Sequence, residues 1–164
     1  MGKNIILSST QIQQKIKRIA YQILEVSSKD KSIVIAGIIG NGFTFAEKLK
    51  QEIESISSLK CILCEVIMDK KKPLNTITTS IKSSDYKNKT LILVDDVLNS
   101  GSTLIYGMRH FLDVPLKQFK TAVLVNRNHK KYPVKADFKG ISLSTSIQEH
   151  VHVEFGKESV AYLT

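Results

Sequence analysis

Residues 91–103, LILVDDVLNSGST, set what the rest of the chain has to build. Leu91, Ile92, Leu93 and Val94 form a short unbroken apolar run, the pattern of a strand covered on both faces in a parallel sheet. Asp95 and Asp96 stand where that strand is expected to end. Asn99, Ser100, Gly101, Ser102 and Thr103 then make a small polar loop, and a helical pattern runs from Leu104 onward. Backbone N–H groups and hydroxyls in such a loop can converge on an anion at a helix N-terminus. An acid pair followed by a phosphate cradle fits a ligand carrying both hydroxyls and phosphate.

The order of these parts excludes better-known phosphate sites. A nucleoside-triphosphatase loop ends in Gly-Lys-Ser/Thr, and a dinucleotide fingerprint needs three spaced glycines and a distant acid; neither pattern is present. Receiver domains also carry paired aspartates, but near the chain start and without a cradle directly after them. An Asp-Asp pair behind a strand is by itself an ordinary turn or capping signal. The full constellation of residues 91–103 separates this pair from that reading.

Length and composition bound the alternatives. The 164 residues suffice for one domain with a real core, expected to span 1–164, and 42% hydrophobic content argues against disorder. The formal charge of +9 fits a nucleic-acid partner or a phosphorylated substrate, and equally a lysine-rich solubilising surface. Ile5, Ile6 and Leu7 are too short an apolar patch for a secretory core or a membrane span, and Ile6 occupies the place where a Met1-Gly2 myristoylation signal has Ser or Thr. A cytoplasmic address without membrane contact is expected. Cys61 and Cys64 lie in a strand pattern, three positions apart and so on opposite faces, which makes them structural thiols rather than a redox or zinc pair.

Apolar strands alternate with helical patterns along the chain. A helix is predicted over 9–27, with Ile12, Ile16, Ile19, Ile23 and Leu24 on one stripe and Ser8 or Ser9 as cap. A buried strand over 33–36 leads into GIIGNGF at 37–43 and a helix over 44–56; glycines there let the backbone approach a ligand, or simply make a tight turn. A strand follows at 61–68, then the polar, irregular stretch DKKKPLNTITTSIKSSDYKNK at 69–89, a helix at 104–112 and a strand at 121–125. The last third is richer in charge and turns, with a closing strand pair at 151–155 and 159–163. His150 and His152 share a strand face, read as exposed rather than metal-binding. This alternation predicts an α/β fold, a mostly parallel sheet flanked by helices. Ligands then sit beyond the strand carboxyl ends, where the loops at 37–42 and 95–103 would meet.

The central stretch resembles the phosphoribosyl diphosphate signature of type I phosphoribosyltransferases: four apolar residues, two acids, two apolar residues, then a Thr/Ser-Gly-x-Thr loop. More narrowly, it is similar to the bifunctional pyrimidine operon regulators with uracil phosphoribosyltransferase activity, whose segment reads V-D-D-V-L-Y-T-G-R-T. Residues 121–140, TAVLVNRNHKKYPVKADFKG, continue the likeness. The resemblance implies a small C-terminal hood and a site in which Asp95 and Asp96 act on the ribose hydroxyls. Ser100, Gly101, Ser102 and Thr103, preceded by Asn99, would hold the 5-phosphate of phosphoribosyl diphosphate. Mg2+ would arrive through the substrate near Asp95 and Asp96, without a direct protein cage. Ile39, Gly40, Asn41 and Gly42 would form the diphosphate loop. There the relatives have G-I-K-T-R-G, so the cationic help is lost.

Lys70, Lys71 and Lys72, in the stretch where the family has a mobile lid, are candidates to restore that charge, or form a solvated run. Arg127 is a candidate contact to the base or diphosphate, or a solvated loop residue. Purine-salvage relatives place an aspartate at the position of Asn99, so uracil or a uridine nucleotide is the expected ligand. Asn99 also replaces the uracil family's tyrosine, and Ser102 its arginine. The alternative function is an RNA-binding regulator sensing nucleotides in the same pocket and contacting an mRNA leader. Arg18, His129 and Lys135 match the relatives' basic surface, while Tyr21 and Ile141 depart from it. A homo-oligomer, dimer or higher, is implied as well.

Overall fold

The computed structural model describes residues 2–164; Met1, part of the amino-terminal pattern considered above, lies outside them. In chain order the elements are β1 (Asn4–Leu7), α1 (Ser9–Val26), β2 (Ser32–Ile38), α2 (Asn41–Ile56), β3 (Lys60–Ile67), β4 (Thr78–Thr79), α3 (Ser83–Tyr86), β5 (Thr90–Leu98), α4 (Ser102–Phe111), β6 (Gln118–Arg127), β7 (Phe138–Leu143), β8 (Val151–Glu154) and β9 (Val160–Leu163). Six strands form the main sheet in the order β4-β3-β2-β5-β6-β7. All its pairings are parallel except the short β3–β4 ladder. This is the expected α/β architecture.

Residues 91–94 behave as their apolar run requires. Ile92 and Val94 pack on one face with Ile33, Ile35, Ala122 and Leu124, against α1 and α2. Leu91 and Leu93 pack on the other with Val34, Ala36 and Val123, against α4 and the rings of Tyr86 and Phe111. Each such side chain contributes about 1.5–3 kcal/mol on burial, and β5 shares the middle of the sheet with the equally buried β2. Cys61 belongs to the first core and Cys64 to the second, on opposite faces as expected. Burial pushes their thiols up to about 12 and about 11, which leaves both inert at neutral pH.

α1 starts where its sequence signals. The Ser8 hydroxyl accepts the Gln11 N–H at 3.3 Å and Gln11 Oε1 accepts the Ser8 N–H at 2.9 Å, a reciprocal capping box. Its stripe of Ile12, Ile16, Ile19 and Ile23 is buried.

Several boundaries differ from expectation. β5 does not stop before the acids: it runs to Leu98, because Val97 and Leu98 still pair with Val125 and Asn126 of β6. Helices α2 and α4 begin at Asn41 and Ser102, three and two residues earlier than their apolar periodicity indicates. In both cases a glycine with φ of 88°, Gly40 or Gly101, turns the chain so sharply that the helix opens at the next residue. The irregular stretch after β3 contains β4 and the single turn of α3.

β1 and β7 were not anticipated. Ile5 and its neighbours become a strand by pairing with β9, Ile5 opposite Tyr162, and β7 becomes one by adding to β6. The three-stranded antiparallel sheet β1-β9-β8 is the hood. Its inward residues Leu7, Val153 and Ala161 belong to the same core as α1 and α2.

Candidate active site

Asp95 and Asp96 sit in the last ladder turns of β5, with Asp95 paired in register to Val123 of β6. Asp95 is 2% exposed. Its Oδ1 accepts the Asp96 N–H at 2.9 Å and faces the Lys70 Nζ at 3.4 Å. Burial drives the Asp95 carboxyl well above its ordinary range, the charge of Asp96 pushes the same way, and Lys70 partly reverses it. Asp96 is half-buried and lines the adjoining cavity.

That cavity, about 240 Å³, is walled by Lys70, by the continuous run from Asp95 to Leu104, and by Val151 of the hood. The acid pair and the serine-threonine loop thus open on one space. Gly101 is buried with φ of 88°, and a side chain there would press on Val134. Its turn starts α4 at Ser102, so the first N–H groups of a ten-residue helix are presented at the loop. The Ser100 hydroxyl accepts the Ser102 N–H at 3.2 Å, and the Ser100 carbonyl accepts the N–H groups of Lys131 and Tyr132 at 2.7 and 3.0 Å. The cradle is therefore held from behind by the segment after β6.

The loop of Ile39, Gly40, Asn41 and Gly42 reaches the acids at one point. A β-carbon on Gly42 would lie 2.8 Å from Asp95 Oδ1 and 3.1 Å from the Val94 carbonyl, so only glycine allows this approach. The Ile39 N–H is donated to the Val66 carbonyl at 2.9 Å, and Asn41 Nδ2 to the Val153 carbonyl of the hood at 2.7 Å. Neither of those groups faces the cavity.

Of the three lysines only Lys70 lines the cavity; Lys71 and Lys72 are exposed. Arg127 matches neither expectation, because it is 7% exposed and its guanidinium is spent on protein acceptors. It donates to Asn99 Oδ1 at 2.9 Å, to Thr145 Oγ1 at 2.8 and 3.0 Å, and to the Glu149 carbonyl at 2.7 Å. It straps the cradle loop to the connection between β7 and β8 and fixes the Asn99 side chain. His129 is half-buried with its ring nitrogen on the Thr145 carbonyl, while Lys135 is exposed and separate from the cavity. Arg18 lies on α1, donating to the Lys139 and Gly140 carbonyls of β7 at 3.0 and 2.8 Å. His152 stacks on Tyr162 and contacts Thr164 Oγ1 at 2.9 Å.

Sequence reasoning missed Val151 as a wall of the cavity, and Thr145 and Glu149 as anchors of Arg127. These contacts span eighteen or more residues and have no local signature. Among the described residues no three His, Cys, Asp or Glu side chains converge on a metal cage. A hard divalent cation at Asp95 and Asp96 fits there if a bound phosphate ester and water complete its oxygen shell.

Comparison with known proteins agrees with this fold. The phosphoribosyl transferase domain matches residues 3–158. Bifunctional protein PyrR of Bacillus pumilus is 32% identical over 94% of this chain and 92% of its own length. The protein of the same name from Fusobacterium nucleatum is 34% identical over 97% of both. The hypoxanthine phosphoribosyltransferase of Trypanosoma cruzi superposes with a TM-score of 0.76 at 14% identity, covering 96% of this chain and 95% of that one. A Bacillus anthracis hypoxanthine-guanine phosphoribosyltransferase gives 0.73 at 22% identity, covering 87% and 83%. At those identities the two enzymes speak for the fold alone. The chain therefore belongs to the phosphoribosyl transferase domain family, of the type I fold, among relatives that bear the name bifunctional protein PyrR.

Proposed function

We propose that the protein transfers ribose 5-phosphate from phosphoribosyl diphosphate to uracil, releasing diphosphate and forming uridine monophosphate. The observation that carries this reading is the one cavity onto which buried Asp95, half-buried Asp96 and the serine-threonine cradle all open. In that cavity Ser100, Gly101, Ser102 and Thr103 hold the 5-phosphate with N–H and hydroxyl groups, and this remote anchor positions the anomeric carbon. Asp95 and Asp96 take the ribose hydroxyls. As the bond to diphosphate breaks and the bond to the base nitrogen forms, their charge favours the positive sugar. Asp95 and Asp96 would help to hold Mg2+ arriving with the substrate, and the ion would supply positive charge to the leaving diphosphate. Uracil is preferred to a purine because Asn99, which stands where purine-salvage relatives carry an aspartate, has its oxygen committed to Arg127.

Diphosphate release from phosphoribosyl diphosphate and Mg2+ is measured with uracil, orotate, hypoxanthine, guanine and adenine in turn. Uracil is expected to support turnover, and release with a purine alone overturns the choice of base. The double variant Asp95→Asn, Asp96→Asn is expected to lose at least roughly 10²-fold in rate, the scale of removing fixed electrostatic stabilisation.

A second reading, regulation through an RNA leader, draws on one observation. Arg18 is pinned to the β7 backbone, which brings it beside exposed Lys139 on an edge strand of the main sheet. Leader binding that weakens steeply with salt, and less steeply in Arg18→Ala, is the expected result.

A further inference from the structure

Two facts meet at Asp95. The diphosphate loop has no cation of its own: Ile39, where the relatives carry lysine, is 39% exposed and its N–H is tied to Val66. A cation reaches the acid from a different element, because Lys70 extends from the segment after β3 to within 3.4 Å of Asp95 Oδ1. Asp69 decides which lysine of the run does so. Its Oδ1 accepts the N–H groups of Lys71 and Lys72 at 2.9 and 3.2 Å, and its carbonyl accepts the Lys72 N–H again at 3.1 Å. That closed turn leaves Lys71 and Lys72 in solvent and Lys70 on the cavity wall.

The two partners differ in freedom. The Asp95 side chain is 3% exposed and held by the Asp96 N–H, whereas the Lys70 side chain is 43% exposed and has no other polar partner among the described residues. The acid is fixed and the lysine can leave. Two cations cannot share one carboxylate oxygen at close range without strong repulsion, so a divalent ion that takes Asp95 Oδ1 displaces the ammonium group. A displaced ammonium at the mouth of the same cavity then meets the anion that came with the metal.

We propose that Lys70 is an exchangeable counter-ion: it holds the acid pair in the ligand-free protein, yields Asp95 to the divalent cation accompanying the substrate, and then pairs with the diphosphate. This rests on the transferase reading above. It makes Lys70 the substitute, supplied by another element, for the cation missing at Ile39. Exchange also gives the site a reason to bind free metal weakly and metal with diphosphate strongly.

Mn2+ binding to the substrate-free protein, followed by electron paramagnetic resonance, and calorimetry with inorganic diphosphate plus Mg2+ test this on wild type, Lys70→Gln and Lys70→Arg. Lys70→Gln is expected to bind Mn2+ more tightly and diphosphate more weakly, each by roughly three- to tenfold, the scale of one partly screened charge contact. Lys70→Arg is expected to follow wild type in both. Unchanged Mn2+ affinity in Lys70→Gln, or unchanged diphosphate affinity, overturns the exchange. If wild type binds phosphoribosyl diphosphate while Lys70→Gln leaves Mn2+ binding unchanged, the lysine's role falls and the transferase reading stands. If wild type ignores phosphoribosyl diphosphate while Lys70→Gln gains Mn2+, the counter-ion stands and the transferase reading falls.

Discussion

Asp95 is a carboxyl buried within the central strand beside a second acid. Its folded-state pKa lies above the ordinary value of 3.8, so between that value and the raised one the folded protein holds more protons than the unfolded chain. Stability contributed by this residue therefore falls as pH rises through that window and levels off above it. Asp95→Asn removes the titration. In metal-free buffer its melting temperature, taken relative to wild type, should rise as pH increases through the window; a constant difference between the two proteins would refute the burial argument. The same residue shows why site chemistry and fold stability diverge here, because the carboxyl we propose to hold the sugar is one whose burial costs the fold.

At the scale of elements, the site is a consequence of how β5 hands over to α4. Gly101 makes that joint, and alanine there must adopt φ of 88° while crowding Val134 at 3.3 Å. Gly101→Ala is expected to lose about 1–3 kcal/mol, the usual strain of a non-glycine residue in that region, together with affinity for ribose 5-phosphate. Ser8→Ala, which removes the cap of α1, is expected to cost about 1 kcal/mol and leave that affinity intact. Denaturant melts and ligand titrations on the pair distinguish strain at the cradle from general loss of stability. The starts of α2 and α4 escaped the sequence reading because apolar periodicity first registers where a helix touches the core, two or three residues after its backbone begins.

Across the whole molecule, the hood and the main sheet share one core, since Val153 and Ala161 pack with Ile16, Phe45 and Leu124. We propose that residues 1–164 form one cooperative unit. Far-ultraviolet circular dichroism and tyrosine fluorescence should report a single coincident unfolding transition, which Val153→Ala shifts without splitting. A separate early transition would make the hood an independent unit. By itself the sequence determined the α/β class, the buried central strand, the opposite facing of Cys61 and Cys64, and the acid pair with its cradle, because each is written in neighbouring residues through period, turn chemistry and helix capping. Only the tertiary structure decided that β1 and β7 are strands, that Arg127 ties Asn99 to the β7–β8 connection, and that Lys70 alone of its run meets Asp95. Those outcomes depend on partners far away in the chain, and a residue's own neighbours carry no information about which distant backbone or charge will complete it.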